Sequence, residues 1–167
     1  MFVSTHRRAV SYIDKSREYY DAQRYEKAYQ WAANDDAPFA PLAKPLSESR
    51  IGIVTTSYLR REDRPAGWPE SKAKHPYALP VADAPVRMFT EDLSWDKQAT
   101  HTDDTESFLP LERAREMVAE GRIGSLSPRF YGVPTDYSQR RTLKVDAPEL
   151  LELLKEDDVD VVLLVPL

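Results

Sequence analysis

The last nine residues of the chain, Val159 to Leu167 (VDVVLLVPL), constrain its fold more than any other segment. A run this apolar, without strict alternation, suits a strand covered on both faces, as strands are in parallel sheets sandwiched between helices. Directly before it, Ala147 to Glu156 (APELLELLKE) reads as an amphipathic helix with Pro148 in its first turn. Its leucines Leu150, Leu151, Leu153 and Leu154 point toward a core, and Asp157 and Asp158 give a tight exit. Helix, short turn and buried strand are the closing half of a crossover between parallel strands.

Two other segments fit the same plan. Arg50 to Ser57 (RIGIVTTS) has an apolar centre, Ile51 to Val54, running into small hydroxyl residues, which predicts a buried parallel strand entering a functional turn. Leu111 to Glu120 places Leu111, Ala114, Met117 and Val118 on one helical face, with Pro110 at the start and Gly121 as the stop. Together they predict one α/β domain over residues 1–167. Its mostly parallel sheet is flanked by helices, in a Rossmann-like or flavodoxin-like arrangement. Ser4 to about Ala33 carries aromatic and aliphatic residues at helical spacing, as one helix or as two with a break near Asp21 to Arg24. Val86 to Leu93 alternates imperfectly as a strand, and Ser127 to Val133 (SPRFYGV) reads as a short strand or strand-like turn before a polar loop, Pro134 to Arg141. Tyr58 to Pro85, with five prolines, reads as a long loop for substrate or partner contact or a plain surface excursion.

Composition narrows the chemistry. A formal charge of −5 gives no general attraction to phosphate backbones or anionic lipid, so neither nucleic acid nor membrane is an expected partner. No apolar run is long enough for a membrane span, and Met1 to Asp14 lacks a signal-peptide pattern; the expected location is the cytoplasm. With no cysteine, the 167 residues can form neither a disulfide nor a thiolate nucleophile or metal ligand. The three histidines, His6, His75 and His101, lack metal-ligand spacing, and no metal is expected. The five glycines form no nucleotide-binding fingerprint.

The candidate site residues lie at predicted strand ends and in one loop. Thr55, Thr56 and Ser57 could donate hydrogen bonds to a carboxylate or phosphate, or simply close a strand-end turn. His101, close to Asp96, Asp103 and Asp104, invites a metal or general-base reading, against that of a solvated loop. Arg129 and Tyr131 could grip a substrate carboxylate, because a guanidinium binds one bidentately. In open α/β sheets the ligand crevice lies beyond the carboxyl ends of the strands. Arg129 and Tyr131 are therefore expected to face the same crevice as Thr55 to Ser57.

Three ordered phrases carry a resemblance: Trp31 to Ser57 (WAANDDAPFAPLAKPLSESRIGIVTTS), Ser107 to Gly132 (SFLPLERAREMVAEGRIGSLSPRFYG) and Leu153 to Leu167 (LLKEDDVDVVLLVPL). The chain resembles the selenoprotein B family of glycine, sarcosine, betaine and D-proline reductases. The resemblance implies an α/β oxidoreductase component that reductively cleaves a carbon–nitrogen bond in a small amine or amino-acid substrate activated by a partner subunit. A selenocysteine, or a cysteine in its place, is the implied nucleophile, with a thiol/disulfide redox partner, and other subunits of the complex are the implied partners. That residue is expected just after the strand at Val159 to Leu167, so no catalytic residue is assigned within the chain. Thr55, Thr56, Ser57, His101, Arg129 and Tyr131 remain as substrate-side positions. The final strand, lacking a following helix to cover it, leads to the expectation that the sequence is truncated there and that the next codon is UGA. Two alternatives stand beside this reading: a non-catalytic assembly module of a reductase complex, and a metal-dependent hydrolase using His101 with Asp103 and Asp104.

Overall fold

The computed structural model describes residues 18, 20–24, 35–36, 40–64, 75–90, 101–133, 135 and 138–167. The chain divides into two compact units, Met1–Phe39 and Ala40–Leu167. In the first, residues 18 and 20–22 are helical and a turn follows at residues 23–24. Arg24 adopts a left-handed φ of 57° and its N–H bonds to the Asp21 carbonyl at 3.0 Å, so a turn falls where the sequence predicted a break. The rest of the helix expected over residues 4–33 lies outside the described residues.

The second unit contains β1 (Arg50–Thr55), β2 (Tyr77–Pro80), α1 (Leu111–Ala119), β3 (Ser125–Leu126), β4 (Arg129–Gly132), α2 (Gln139–Arg141), α3 (Ala147–Glu156) and β5 (Val161–Val165). β1 is the hub of a mixed five-stranded sheet. On one side it pairs in parallel with β5 along its length, from Ile51 opposite Val161 to Thr55 opposite Val165. On the other it pairs in parallel first with β3 and then with β4, which form one line broken at Ser127 and Pro128. β2 adds antiparallel to β4. The sheet is therefore α/β but not purely parallel.

Alternation along β1 sorts side chains onto two faces, because successive strand residues point to opposite sides. Ile53 lies on the face shared with Phe130, where Phe108, Leu109, Leu111 and Ala114 pack with it. Val54 lies on the other with Tyr131, beneath Leu150, Leu153 and Leu154 of α3. One helix thus covers each face. A fully buried large apolar side chain such as Phe130 stabilises by about 1.5–3 kcal/mol relative to exposure, and this pairing of sheet and helix faces drives the architecture.

Local chemistry ends the helices where expected. Gly121 (φ 69°) follows the α1 C-cap; its N–H bonds to Val118 O at 3.0 Å and that of Arg122 to Met117 O at 2.9 Å, the reciprocal pair of a glycine-terminated helix. At the other end, Glu106 accepts from the N–H groups of Glu112 and Arg113 at 2.9 and 3.2 Å, a cap the sequence reading missed.

Four sequence expectations are corrected. The Tyr58 to Pro85 loop contains β2, whose residues Tyr77 to Leu79 gain a ladder with β4 that no local pattern announced. Val86 to Leu93 forms no strand among its described residues; Phe89 makes one isolated bridge to Tyr58. The end of the loop expected over Pro134 to Arg141 is helical, and α2 runs through a π-helical stretch, Thr142–Asp146, into α3. Leu151 does not join the core with its neighbours but is half exposed on α3.

Candidate functional site

The predicted site residues fall into three separate places. At the carboxyl end of β1, Thr55 and Ser57 point into the core and are essentially inaccessible. Thr55 Oγ1 accepts from Ser57 N at 3.2 Å and donates to Ser57 Oγ at 3.1 Å, and Ser57 Oγ in turn donates to Met88 Sδ at 3.4 Å. Tyr77 donates its phenolic proton to the Ser57 carbonyl at 2.6 Å. Burial, with Tyr58 alongside, holds the Tyr77 phenol well above the usual tyrosine range, so it remains a donor at neutral pH. These groups satisfy one another, as buried polar groups must.

Thr56 points elsewhere. Its Oγ1 accepts from the Leu167 N–H at 2.9 Å and donates to the Leu167 carbonyl at 3.3 Å. One side chain therefore ties the end of β1 to the residue that follows β5 by two, at the sheet end where parallel α/β sheets place their ligands. Thr56→Val keeps the shape and removes both bonds. It is expected to cost about 1–2 kcal/mol in urea denaturation, at about 0.5–1.5 kcal/mol net per bond, and to speed hydrogen exchange at Leu167. Unchanged exchange there would show that the clamp is not formed.

Arg129 and Tyr131 do not face that crevice, contrary to expectation. Register with Val54 sets Tyr131, and with it Arg129, on the α3 face, and their polar ends turn to Asp157, whose carbonyl accepts from Arg50 at the start of β1. Both converge on Asp157, just past the end of α3. Arg129 Nε donates to Asp157 Oδ2 at 2.7 Å and its Nη2 to Glu156 Oε2 at 2.9 Å and the Leu153 carbonyl at 3.3 Å. Tyr131 donates to Asp157 Oδ2 at 2.5 Å and shares a 2.7 Å hydrogen bond with Ser127 Oγ. Burial pushes the Tyr131 phenol up to about 12, aided by Asp157. Burial also pushes the Asp157 carboxyl upward, but the bonds from Arg129, Tyr131 and Ser127 together outweigh it and hold it below the usual carboxylate range. The hydrogen bond to Asp157 raises Arg129 further. With two carboxylates on its guanidinium, Arg129 ties a helix end to the sheet.

His101 is exposed, and its Nδ1 accepts from Asp103 N at 3.3 Å. Asp103 holds Arg87 at 2.5 Å, and Asp104 caps a 3-10 turn by accepting from Glu106 N at 3.1 Å. Among the described residues, no three His, Cys, Asp or Glu side chains gather to hold a metal. Asp96 lies outside the described residues.

Sequence reasoning missed Asp157 and Asp160 as organising residues. Asp160 accepts from Arg50 N at 2.7 Å and pairs with Lys44 at 2.6 Å, pinning the start of β1 beside the start of β5. The backbone bond from Arg50, then Lys44, hold its carboxyl below the usual range. The acids before an apolar strand were the available signal, but which base each would meet depends on the β1–β5 register.

A family model described as glycine/sarcosine/betaine reductase selenoprotein B matches residues 4–166. The chain belongs to this family. Among curated proteins it is 27% identical over 143 residues to the glycine reductase complex component B subunit gamma of Symbiobacterium thermophilum. That alignment covers 84% of the chain and 33% of the relative, so the chain spans about a third of the length of the relative it matches. No solved structure matches the chain. Among the described residues, no helix is long and apolar enough to cross a membrane.

Proposed function

We propose that these 167 residues form the α/β scaffold of a reductase component that cleaves a carbon–nitrogen bond in a small amine or amino-acid substrate. In this reading it works in the cytoplasm with other subunits of a reductase complex. The observation that carries the proposal is the family match over residues 4–166 in a chain without cysteine. The redox nucleophile, a selenocysteine or cysteine, then comes from polypeptide outside this sequence. A low-pKa, polarizable nucleophile is largely anionic at neutral pH and suits displacement at an activated carbon. The carboxyl ends of β1 and β5, joined through Thr56, are where we place it.

The test is reconstitution. Complexes assembled from the full reading frame and its partner subunits should release ammonia from glycine, methylamine from sarcosine or trimethylamine from betaine in the presence of a dithiol. No carbon–nitrogen cleavage would sink the proposal. A second reading, a non-catalytic assembly module, draws on the internal saturation of Thr55, Ser57, Arg129 and Tyr131, which fits a scaffold better than a substrate pocket. Stable association with the partner subunits without amine release would favour it.

A further inference from the structure

In the helix that leads from β4 to β5, the sequence pattern and the structure disagree at one residue. Leu150 and Leu154 of α3 face the sheet. Counted back along a regular α-helix, Leu143 stands seven and eleven residues before them and so within about 20° of the same face. Leu143 is nevertheless 74% exposed. The π-helical stretch Thr142–Asp146 accounts for this. Ala147 N–H bonds to Thr142 O, five residues back instead of four, and the extra residue turns what precedes it by up to about 100° about the helix axis. Arg141 comes inward as Leu143 goes out. Its Nε lies 3.3 Å from Oδ1 of Asp146, five residues ahead, whose side chain is 1% exposed. In an α-helix those two positions lie about 140° apart, so this ion pair needs the π turn. Pro148 favours the same register, because inside a regular helix its ring would press on the Lys144 carbonyl and it has no N–H to offer that group.

We infer that residues 139–146 are a two-register switch. In the register observed, Arg141 pairs with buried Asp146 and Leu143 is outside. In the other, the stretch is α-helical, Leu143 joins Leu150 and Leu154 beneath the helix, and Arg141 turns out to solvent. Each register buries a side chain that the other exposes, so the element has two discrete packings and no smooth path between them. Separating a buried ion pair is costly, and together with Pro148 this makes the π register the resting one. The switch sits where it can act on the strand ends. It follows directly on the connection from β4, and Val133, at the start of that connection, donates to the Thr55 carbonyl at 2.9 Å. A change of register therefore moves polypeptide beside the carboxyl end of β1, and a ligand that moves that connection biases the register in return. The inference does not depend on the reductase reading.

Thiol labelling reads the switch, because the chain has no cysteine of its own. Leu143→Cys should react with a maleimide as fast as Val86→Cys, which is 88% exposed. Adding Pro148→Ala, which restores an N–H for the Lys144 carbonyl, should slow labelling of Leu143→Cys by about tenfold or more and leave that of Val86→Cys unchanged. Paired histidines report the register itself through Cu²⁺, which two imidazoles on one helix face hold better than one. Thr142→His with Ala147→His, two exposed positions five apart, should bind Cu²⁺ about tenfold more tightly than either alone. Lys144→His with Ala147→His, three apart, should show no such gain. Pro148→Ala should reverse that order with an unchanged circular dichroism spectrum. Asp146→Asn removes the charge that holds Arg141 and should move both readouts in the same direction. Slow labelling of Leu143→Cys without Pro148→Ala, or a five-apart pair that binds no better than single histidines, would show that no π turn forms. Fast labelling and an unchanged histidine preference in folded Pro148→Ala and Asp146→Asn would show a fixed turn instead of a switch. Either result overturns the inference.

Discussion

Gly132→Ala is expected to destabilise the protein by about 3 kcal/mol or more, at or beyond the upper end of overpacking costs. Against a typical total of about 5–15 kcal/mol, that is a large share. Gly132 ends β4 directly opposite Tyr77 of β2. A methyl group there would fall inside the Tyr77 ring, against Cε1, Cζ and the hydroxyl oxygen. The ring has little freedom to yield. Its hydroxyl is bonded to the Ser57 carbonyl at 2.6 Å, and Tyr58 and Phe130 meet it edge-on with centroids 5.3 and 6.3 Å away. Urea denaturation of a double-mutant cycle checks the cause. Tyr77→Ala is itself costly, but adding Gly132→Ala to it should cost about 1 kcal/mol at most, because the clash has been removed. Gly132→Ala within about 0.5 kcal/mol of the parent would show that the ring moves freely.

Asp157→Ala is the second large effect, with an expected loss of about 2–4 kcal/mol. The Asp157 side chain is 11% exposed, and its removal leaves the Tyr131 hydroxyl and Arg129 without their common acceptor. The estimate stays at or below the usual cost of breaking a buried pair because Arg129 is 28% exposed and keeps Glu156. Asp157→Asn should cost less, since the amide oxygen still accepts one bond. The pH dependence has a definite sign. The fold holds the Asp157 carboxyl below its ordinary value, so its contribution is complete above the unfolded carboxylate pKa of about 3.9 and is lost as pH falls through the folded value. The stability gap between parent and Asp157→Asn should therefore be constant from pH 8 to about pH 5 and close in acid. A gap that widens in acid would contradict the assignment.

Much of the fold was legible in the chain, and the site was less so. The apolar run at Val161 to Val165, the leucines of α3 and the Gly121 stop are local signals, and each marks an element that forms. β2 escaped notice because YALP has no period of its own; its strand state comes from hydrogen bonds to β4, a partner 49 to 55 residues away. Arg129 and Tyr131 stand two apart on β4 and so share one face. That the face belongs to α3 depends on the register Val54 to Tyr131, and register is a property of the assembled sheet.

The sequence by itself determined the kind of chemistry open to this protein and the local elements that build it. A chain with no cysteine cannot supply a thiolate, and the apolar run after the amphipathic helix marks a strand, although the covering expected on both its faces is not there: Val162, Leu163 and Leu164 stand exposed. Only the tertiary structure decided which polar groups remain available. Thr55 and Ser57 spend their hydrogen bonds on each other, on Tyr77 and on Met88; Arg129 spends its charge on Asp157 and Glu156; Thr56 alone of the strand-end trio reaches across to β5. Composition counts donors and acceptors, but their partners are set by distances of about 3 Å that exist only once distant segments have met.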